Sequence, residues 1–270
     1  MKRINRFLLL LSFLLLVSLL CIQKASLSAQ WVKTNGPYGG YIHCFAIKDK
    51  NMFAGTEGSG IFISNDKGIR WKKVNSNLTS NNVYSLAIIG PNIFAGTSDG
   101  VFISTNNGGS WKLIDSALAN TFVYFLARNG PDIFAGTSNG VILITNNGTK
   151  WSAVNTGLTS VNVNSIAISG SARARNIFAG TEDGVFLSIN NGKRWSPVND
   201  GLTNIQINSL AMKGTAIYAG TYGGGVFIST NNGKSWREAN SGLANRYIYS
   251  LVVSDTNIFA GTEDGVFLSI

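Results

Sequence analysis

The chain has 270 residues, with 22 Lys and Arg against 13 Asp and Glu, a formal net charge of +9, and an apolar share of 44%. Two cysteines and a single histidine argue against a disulfide-stapled scaffold, a His/Cys metal centre, a Ser-His-Asp triad and a Cys-His dyad. No motif asks for a metal or a cofactor.

Reading from the N-terminus, Lys2, Arg3 and Arg6 precede an almost wholly apolar run from Phe7 to Leu20, and a more polar stretch ends at Ala29. This is the layout of a secretory signal peptide. The run is shorter than the ~20 residues of a membrane-spanning helix. Residues 1–29 are therefore expected to be a signal peptide cleaved near Ala29, although Leu27 stands where a small residue is preferred. Cys21 does not read as a lipidation site, because Leu19 and Leu20 before it are bulky. Cleavage removes four positive charges (Lys2, Arg3, Arg6, Lys24) and no negative one, leaving +5 over residues 30–270. That mild excess does not point to nucleic acid. The expected address is secreted or periplasmic.

Beyond the leader the chain repeats. Tryptophans stand at 31, 71, 111, 151, 195 and 236, with gaps of 40, 40, 40, 44 and 41 residues. Each copy carries four short apolar segments, which in the second copy are Val83–Ile88, Ile93–Thr97, Gly100–Ser104 and Trp111–Ile114. Rich in Val, Ile, Phe and Tyr and bounded by Gly, Asn, Asp and Ser, these read as strands. Ser98-Asp99-Gly100 reads as a tight hairpin in which glycine supplies the positive φ. Four strands per ~40 residues is the unit of a β-propeller blade.

The third connection is the most specific. It reads SNDKGIRW at Ser64–Trp71, STNNGGSW at Ser104–Trp111, ITNNGTKW at Ile144–Trp151, SINNGKRW at Ser188–Trp195 and STNNGKSW at Ser229–Trp236. The pattern resembles the Asp-box, or BNR, repeat of sialidases, sortilin-type receptors, xyloglucanases and photosystem II assembly factor-like propellers, and it covers essentially all of residues 31–270. A side-chain oxygen caps the turn's own amides. Asp66 has the acid, whereas Asn106, Asn146, Asn190 and Asn231 offer an amide oxygen in its place. The third copy starts on Ile144 instead of Ser and is expected to be the least well tied.

IFAGT or a near copy occurs six times, and the chain stops after Gly265–Ile270, where a further tryptophan strand is due. Trp31 to Gly36 matches that missing strand. The expected fold is all-β: a single six-bladed propeller over residues 30–270, its ring closed by the N-terminal strand pairing into the last blade.

In propellers the second hairpins and the links between blades share one face, and the third turns lie on the other. Before the inner strands, equivalent positions hold His43, Tyr84, Tyr124, Asn164, Asn208 and Tyr249, with Tyr41, Asn82, Phe122, Asn162, Gln206 and Tyr247 two residues upstream. These aromatic and amide groups, with Tyr222, are the candidate ligand-binding set around one mouth of the channel. The hairpins on that face carry Glu57, Asp99, Glu182, Asp183, Glu263 and Asp264, which are good turn formers and also the carboxylates a glycosidase would need. The third-turn face is basic, with Lys67, Arg70, Lys150, Lys193, Arg194 and Lys234, joined by Arg173 and Arg175 of an insertion at Ser171–Arg175. Such a face suits an acidic protein or peripheral contact with an anionic membrane.

Sialidase chemistry lacks its Arg-Ile-Pro signature here, and Arg128-Asn-Gly-Pro131 lies in an ordinary loop. The function expected is a secreted, non-enzymatic, monomeric scaffold that binds a protein segment or glycan at the mouth. The alternative is a glycoside hydrolase, xyloglucanase-like or a degenerate sialidase, using carboxylates on the same face.

Overall fold

A computed structural model of the chain describes residues 33–171, 174–255 and 257–269. The expected signal peptide, Trp31 and Arg173 lie outside these residues. The chain divides into residues 1–34 and residues 35–270, and the second unit is the propeller.

Twenty-three antiparallel strands form six sheets, and the only helical pieces among the described residues are two 3₁₀ turns. Five sheets have four strands each, joined in chain order. The sixth has three among the described residues: Ile248–Ser254, Asn257–Thr262 and Gly265–Ser269. Its expected fourth strand, the N-terminal segment from Trp31 to Gly36, is described only from residue 33. There Asn35 bridges Arg70 of the first blade in parallel, its N–H donating to Ile69 O at 3.2 Å, so the described part of that segment pairs with the first blade instead of the last. The innermost strand of each sheet lies against that of the next, which makes the sheets blades of a six-bladed β-propeller.

One hydrogen bond recurs inside every blade and another in four of them. The threonine of the IFAGT phrase donates its hydroxyl across the second hairpin to a glycine carbonyl, as in Thr97 to Gly100 at 2.9 Å and Thr181 to Gly184 at 2.9 Å. In the first, third, fourth and fifth blades, an asparagine four residues after the tryptophan accepts the N–H that opens the third strand. These bonds join Asn75 to Ile61, Asn155 to Val141, Asn199 to Val185 and Asn240 to Val226, each at 2.7 Å.

The third turns are tied as their sequence implies. Ser64, Ser104, Ser188 and Ser229 each accept, on Oγ, the N–H of the glycine four residues later at 2.9 Å. Asp66 accepts the N–H of Arg70, and Asn106 and Asn190 accept those of Ser110 and Arg194, all at 2.9 Å. The amide oxygen thus replaces the carboxylate without loss of the bond. The third blade is the exception. Ile144 has no hydroxyl to offer, Asn146–Gly148 winds into a 3₁₀ turn, and both Asn146 and Asn147 take positive φ.

Core packing is concentrated between blades. Five hydrophobic clusters occupy the five seams from the first blade to the sixth. In each seam a branched residue of the following inner strand (Val83, Val123, Val163, Ile207 or Ile248) is fully buried. It sits against the glycine of the preceding blade's IFAGT phrase. A Cβ on Gly55, Gly96, Gly136, Gly180 or Gly220 would lie within 3.0 Å of that side chain. Only glycine permits this approach.

Tryptophans stitch the outer edges of the same seams. The indole N–H of Trp111 donates to Val74 O, that of Trp195 to Val154 O and that of Trp236 to Val198 O, all at 2.7 Å and all into the preceding blade. Trp71 bonds only Gly68 of its own turn, at 3.0 Å.

Candidate functional site

The two faces separate as the repeat implies. On the third-turn face, Lys48 reaches from the first hairpin of blade one to Pro91 O and to Asn107 of the neighbouring third turn, each at 2.6 Å. Asn129 likewise bonds Asn191 at 3.1 Å. Arg175 of the insertion hydrogen-bonds Asn129, so this cation braces blade three. Arg70 leans on Asp66 at 3.6 Å.

At the other face the inner strands begin beside the second hairpins, since His43 follows the Ile42–Thr56 pair and Tyr84 the Val83–Thr97 pair. This juxtaposition assembles an aromatic row across three blades. His43 meets Tyr84 edge-on with centroids 5.2 Å apart, Tyr84 stacks on Phe122 at 6.3 Å, and Phe122 meets Tyr124 at 6.3 Å. A second group joins blades five and six. Tyr222 and Tyr247 form an isolated antiparallel bridge, with rings edge to face at 4.9 Å. Tyr41 stands at the start of the first inner strand, its side chain largely in solvent.

Carboxylates interleave with these rings. Glu57 accepts from, or pairs with, His43 Nε2 at 2.9 Å. Glu263 accepts the Tyr249 hydroxyl at 2.5 Å. That bond, with desolvation and the charge of Glu263, pushes the Tyr249 phenol up to about 12. Desolvation and then the charges of Glu57 and Tyr124 raise Tyr84; desolvation and then Glu182 raise Tyr124. Burial thus leads the shifts of Tyr84 and Tyr124 and the Glu263 hydrogen bond that of Tyr249, with carboxylate charge adding to each in the same direction.

The remaining candidates have duties within the scaffold. Asn164 donates its amide to Ile207 O at 3.0 Å and Asn208 to Ile248 O at 2.9 Å, each clamping its blade to the next. Asp99, Asp183 and Asp264 each give their backbone N–H to the hairpin threonine. The side chain of Asp183 accepts from Thr159 at 3.3 Å and that of Asp264 from Asn245 at 2.8 Å. Cys44 packs into the first seam, its thiol pushed up to about 12 by burial against one opposing backbone bond.

Sequence reasoning passed over the inner-strand serines. Ser85, Ser165 and Ser209 accept the N–H of Leu126, Leu210 and Leu251 in the next blade at 2.9–3.0 Å. The signal lay in their recurrence one residue after the aromatic position.

No protein-family model matches the chain, and no curated protein sequence matches it. Solved structures do match in fold. The extracellular domain of a one-component system from B. thetaiotaomicron superposes with a TM-score of 0.71 and 20% identity, over 89% of this chain and 34% of that one. An ancestral GH74 enzyme gives a TM-score of 0.71 and 20% identity, over 85% and 36%. YCF48 bound to a D1 peptide gives 0.68 and 14%, over 88% and 80%. The chain thus spans about a third of the length of the first two. Its similarity to all three defines the class: a β-propeller. Among the described residues no helix is long and apolar enough to cross a membrane.

Proposed function

We propose that the protein is an exported, non-enzymatic scaffold that binds an extended protein segment at the mouth formed by the inner-strand starts and second hairpins. The observation that carries this reading is the row His43–Tyr84–Phe122–Tyr124, with Glu57 on one of its rings. Adjacent aromatic faces give contact area at low entropic cost. Carboxylates beside them favour a ligand with Lys or Arg, whose cations meet both ring faces and negative charge. A leader over residues 1–29 supports export, and the kinship of the third turns with Asp-box repeats supports a binding role. The similarity in fold to YCF48, solved with a bound D1 peptide, supports a peptide ligand.

The test is selection of peptides from a random displayed library on the full chain, followed by titration of the selected peptides. Tyr84→Ala and Phe122→Ala should each weaken binding at least about tenfold, the range of an aromatic anchor. Lys234→Ala on the opposite face should leave it unchanged. Failure to enrich any peptide, or binding indifferent to the two aromatic changes, defeats the proposal. So does glycosidase turnover abolished by changing one of Glu57, Asp99, Glu182, Asp183, Glu263 or Asp264 to its amide. That outcome would establish the hydrolase alternative.

A further inference from the structure

Four of the third turns carry Asn-Gly: Asn107-Gly108, Asn147-Gly148, Asn191-Gly192 and Asn232-Gly233. Each of these asparagines is exposed and takes positive φ. Such a pair holds a reaction of its own. The glycine nitrogen attacks the asparagine Cγ, a succinimide ring closes and ammonia leaves. Water then opens the ring to aspartate or isoaspartate. Glycine favours the attack because no side chain obstructs it. A turn opposes it by fixing the nitrogen and the amide in place, so the step waits on local opening. The four turns do this unequally. Gly108, Gly192 and Gly233 are buried and give their N–H to Ser104, Ser188 and Ser229 Oγ at 2.9 Å. Gly148 is only half-buried, and Ile144 has no hydroxyl to offer it. The asparagines differ as well. Asn107 Oδ1 accepts from Lys48 and Asn191 Oδ1 from Asn129, whereas among the described residues no side-chain bond holds Asn147 or Asn232. Asn107 and Asn191 thus have both ties, Asn232 has one and Asn147 has neither.

From this we infer that Asn147 is a site of spontaneous deamidation, converting ahead of its three counterparts with water as the sole co-reactant. Asn-Gly pairs outside the third turns are held in other ways. Asn129 is buried, Gly140 gives its N–H to Val161 O at 2.6 Å, and Asn35 lies in its backbone bridge to Arg70. The product alters both the seam and the face. A Cβ on Gly148 would meet Phe94 of the preceding blade, as one on Gly192 would meet Phe134, so this glycine is packed like its equivalents. Isoaspartate routes the main chain through the former side chain immediately before it and pushes against that packing. Either product sets a carboxylate among the cations of the third-turn face. The face therefore loses positive charge with age, beginning at the third blade.

The test incubates the full-length chain in mildly alkaline buffer and follows each turn over time by peptide mass spectrometry. An isoaspartate-specific methyltransferase gives a second readout. Asn147 should convert first, Asn232 next, and Asn107 and Asn191 last. In denaturing urea the four rates should converge, because glycine follows each asparagine. Supplying the missing hydroxyl in Ile144→Ser should slow Asn147 about fivefold, and removing one in Ser229→Ala should speed Asn232 by a similar factor, the weight of one ordinary hydrogen bond. Circular dichroism confirms that the strands persist in both; where Ile144→Ser disturbs them, Ser229→Ala decides alone. One common rate for the four folded turns overturns the proposal. So does an order that persists in urea, or rates at Asn147 and Asn232 indifferent to these substitutions.

Discussion

Five seams of this propeller are finished and one is not, although both kinds are built from the same residue types. Val163 against Gly136 and Ile42 opposite Gly261 are the same pair read from two places in the chain, yet Val163 is fully buried and Ile42 is not. The comparison shows that an apolar residue in a repeat does not stabilise by its identity alone. It stabilises once the neighbouring blade removes it from water.

The sharpest way to break this comparison is to fill the glycine sockets. Gly136→Ala places a methyl 2.5 Å from Val163 O, a backbone atom that gives way only if the blade shifts. We expect a loss of about 2–3 kcal/mol, the range of overpacking a core. Gly261→Ala meets only Ser250, whose hydroxyl can rotate away, and should cost under about 1 kcal/mol. Thermal midpoints compare the two directly, at about 2–4 °C per kcal/mol for a chain of this size. Equal losses would mean that the sixth seam is as tightly filled as the others.

Truncation tests the other half of each pair. Val163→Ala should cost about 2 kcal/mol by transfer and cavity together, and the exposed Ile42→Ala less than half of that. Denaturant midpoints at unchanged slope decide it.

A smaller contrast lies among the third turns. Ser188→Ala should remove about 1 kcal/mol with its turn-capping hydroxyl. Ile144→Ser should leave stability within about 1 kcal/mol of the parent, since the buried isoleucine it sacrifices offsets the cap it gains.

The smallest effect is one of pH. Asp66 is held below its ordinary value of 3.8, first by the Arg70 N–H and then by the Ser64 hydroxyl. A carboxyl depressed on folding contributes stability that is full above its unfolded value and is lost as pH falls through the folded one. Asp66→Asn should therefore be the less stable of the two proteins at pH 7 and converge on the parent as pH falls below about 4. Acid titrations of the two proteins that superimpose would remove this role.

Much of the fold was legible because each blade repeats its own chemistry. Trp, Asn-Gly and IFAGT recur at one spacing, and each has a local structural cause in a turn or socket. The third blade's looser turn was visible in Ile144 alone. The exposed seam was not, because burial is a property of neighbours, and Ile42 reads like Val83 until the other side is examined. The mouth was half legible. The aromatic row follows from strand phase, but Asn164 and Asn208 occupy the same phase and turn out to clamp the next blade. A side chain's position predicts which face it reaches, and its hydrogen-bond partner decides what remains for a ligand.

The indole bonds carry a direction. Trp111, Trp195 and Trp236 each reach into a blade made earlier in the chain, and none reaches into a later one. The branched residues that enter the glycine sockets point backward in the same sense. A nascent chain leaving the ribosome therefore finds the dock for each new blade already synthesised, and can add blades one at a time from the first to the sixth. Assembly is a ratchet that runs with translation.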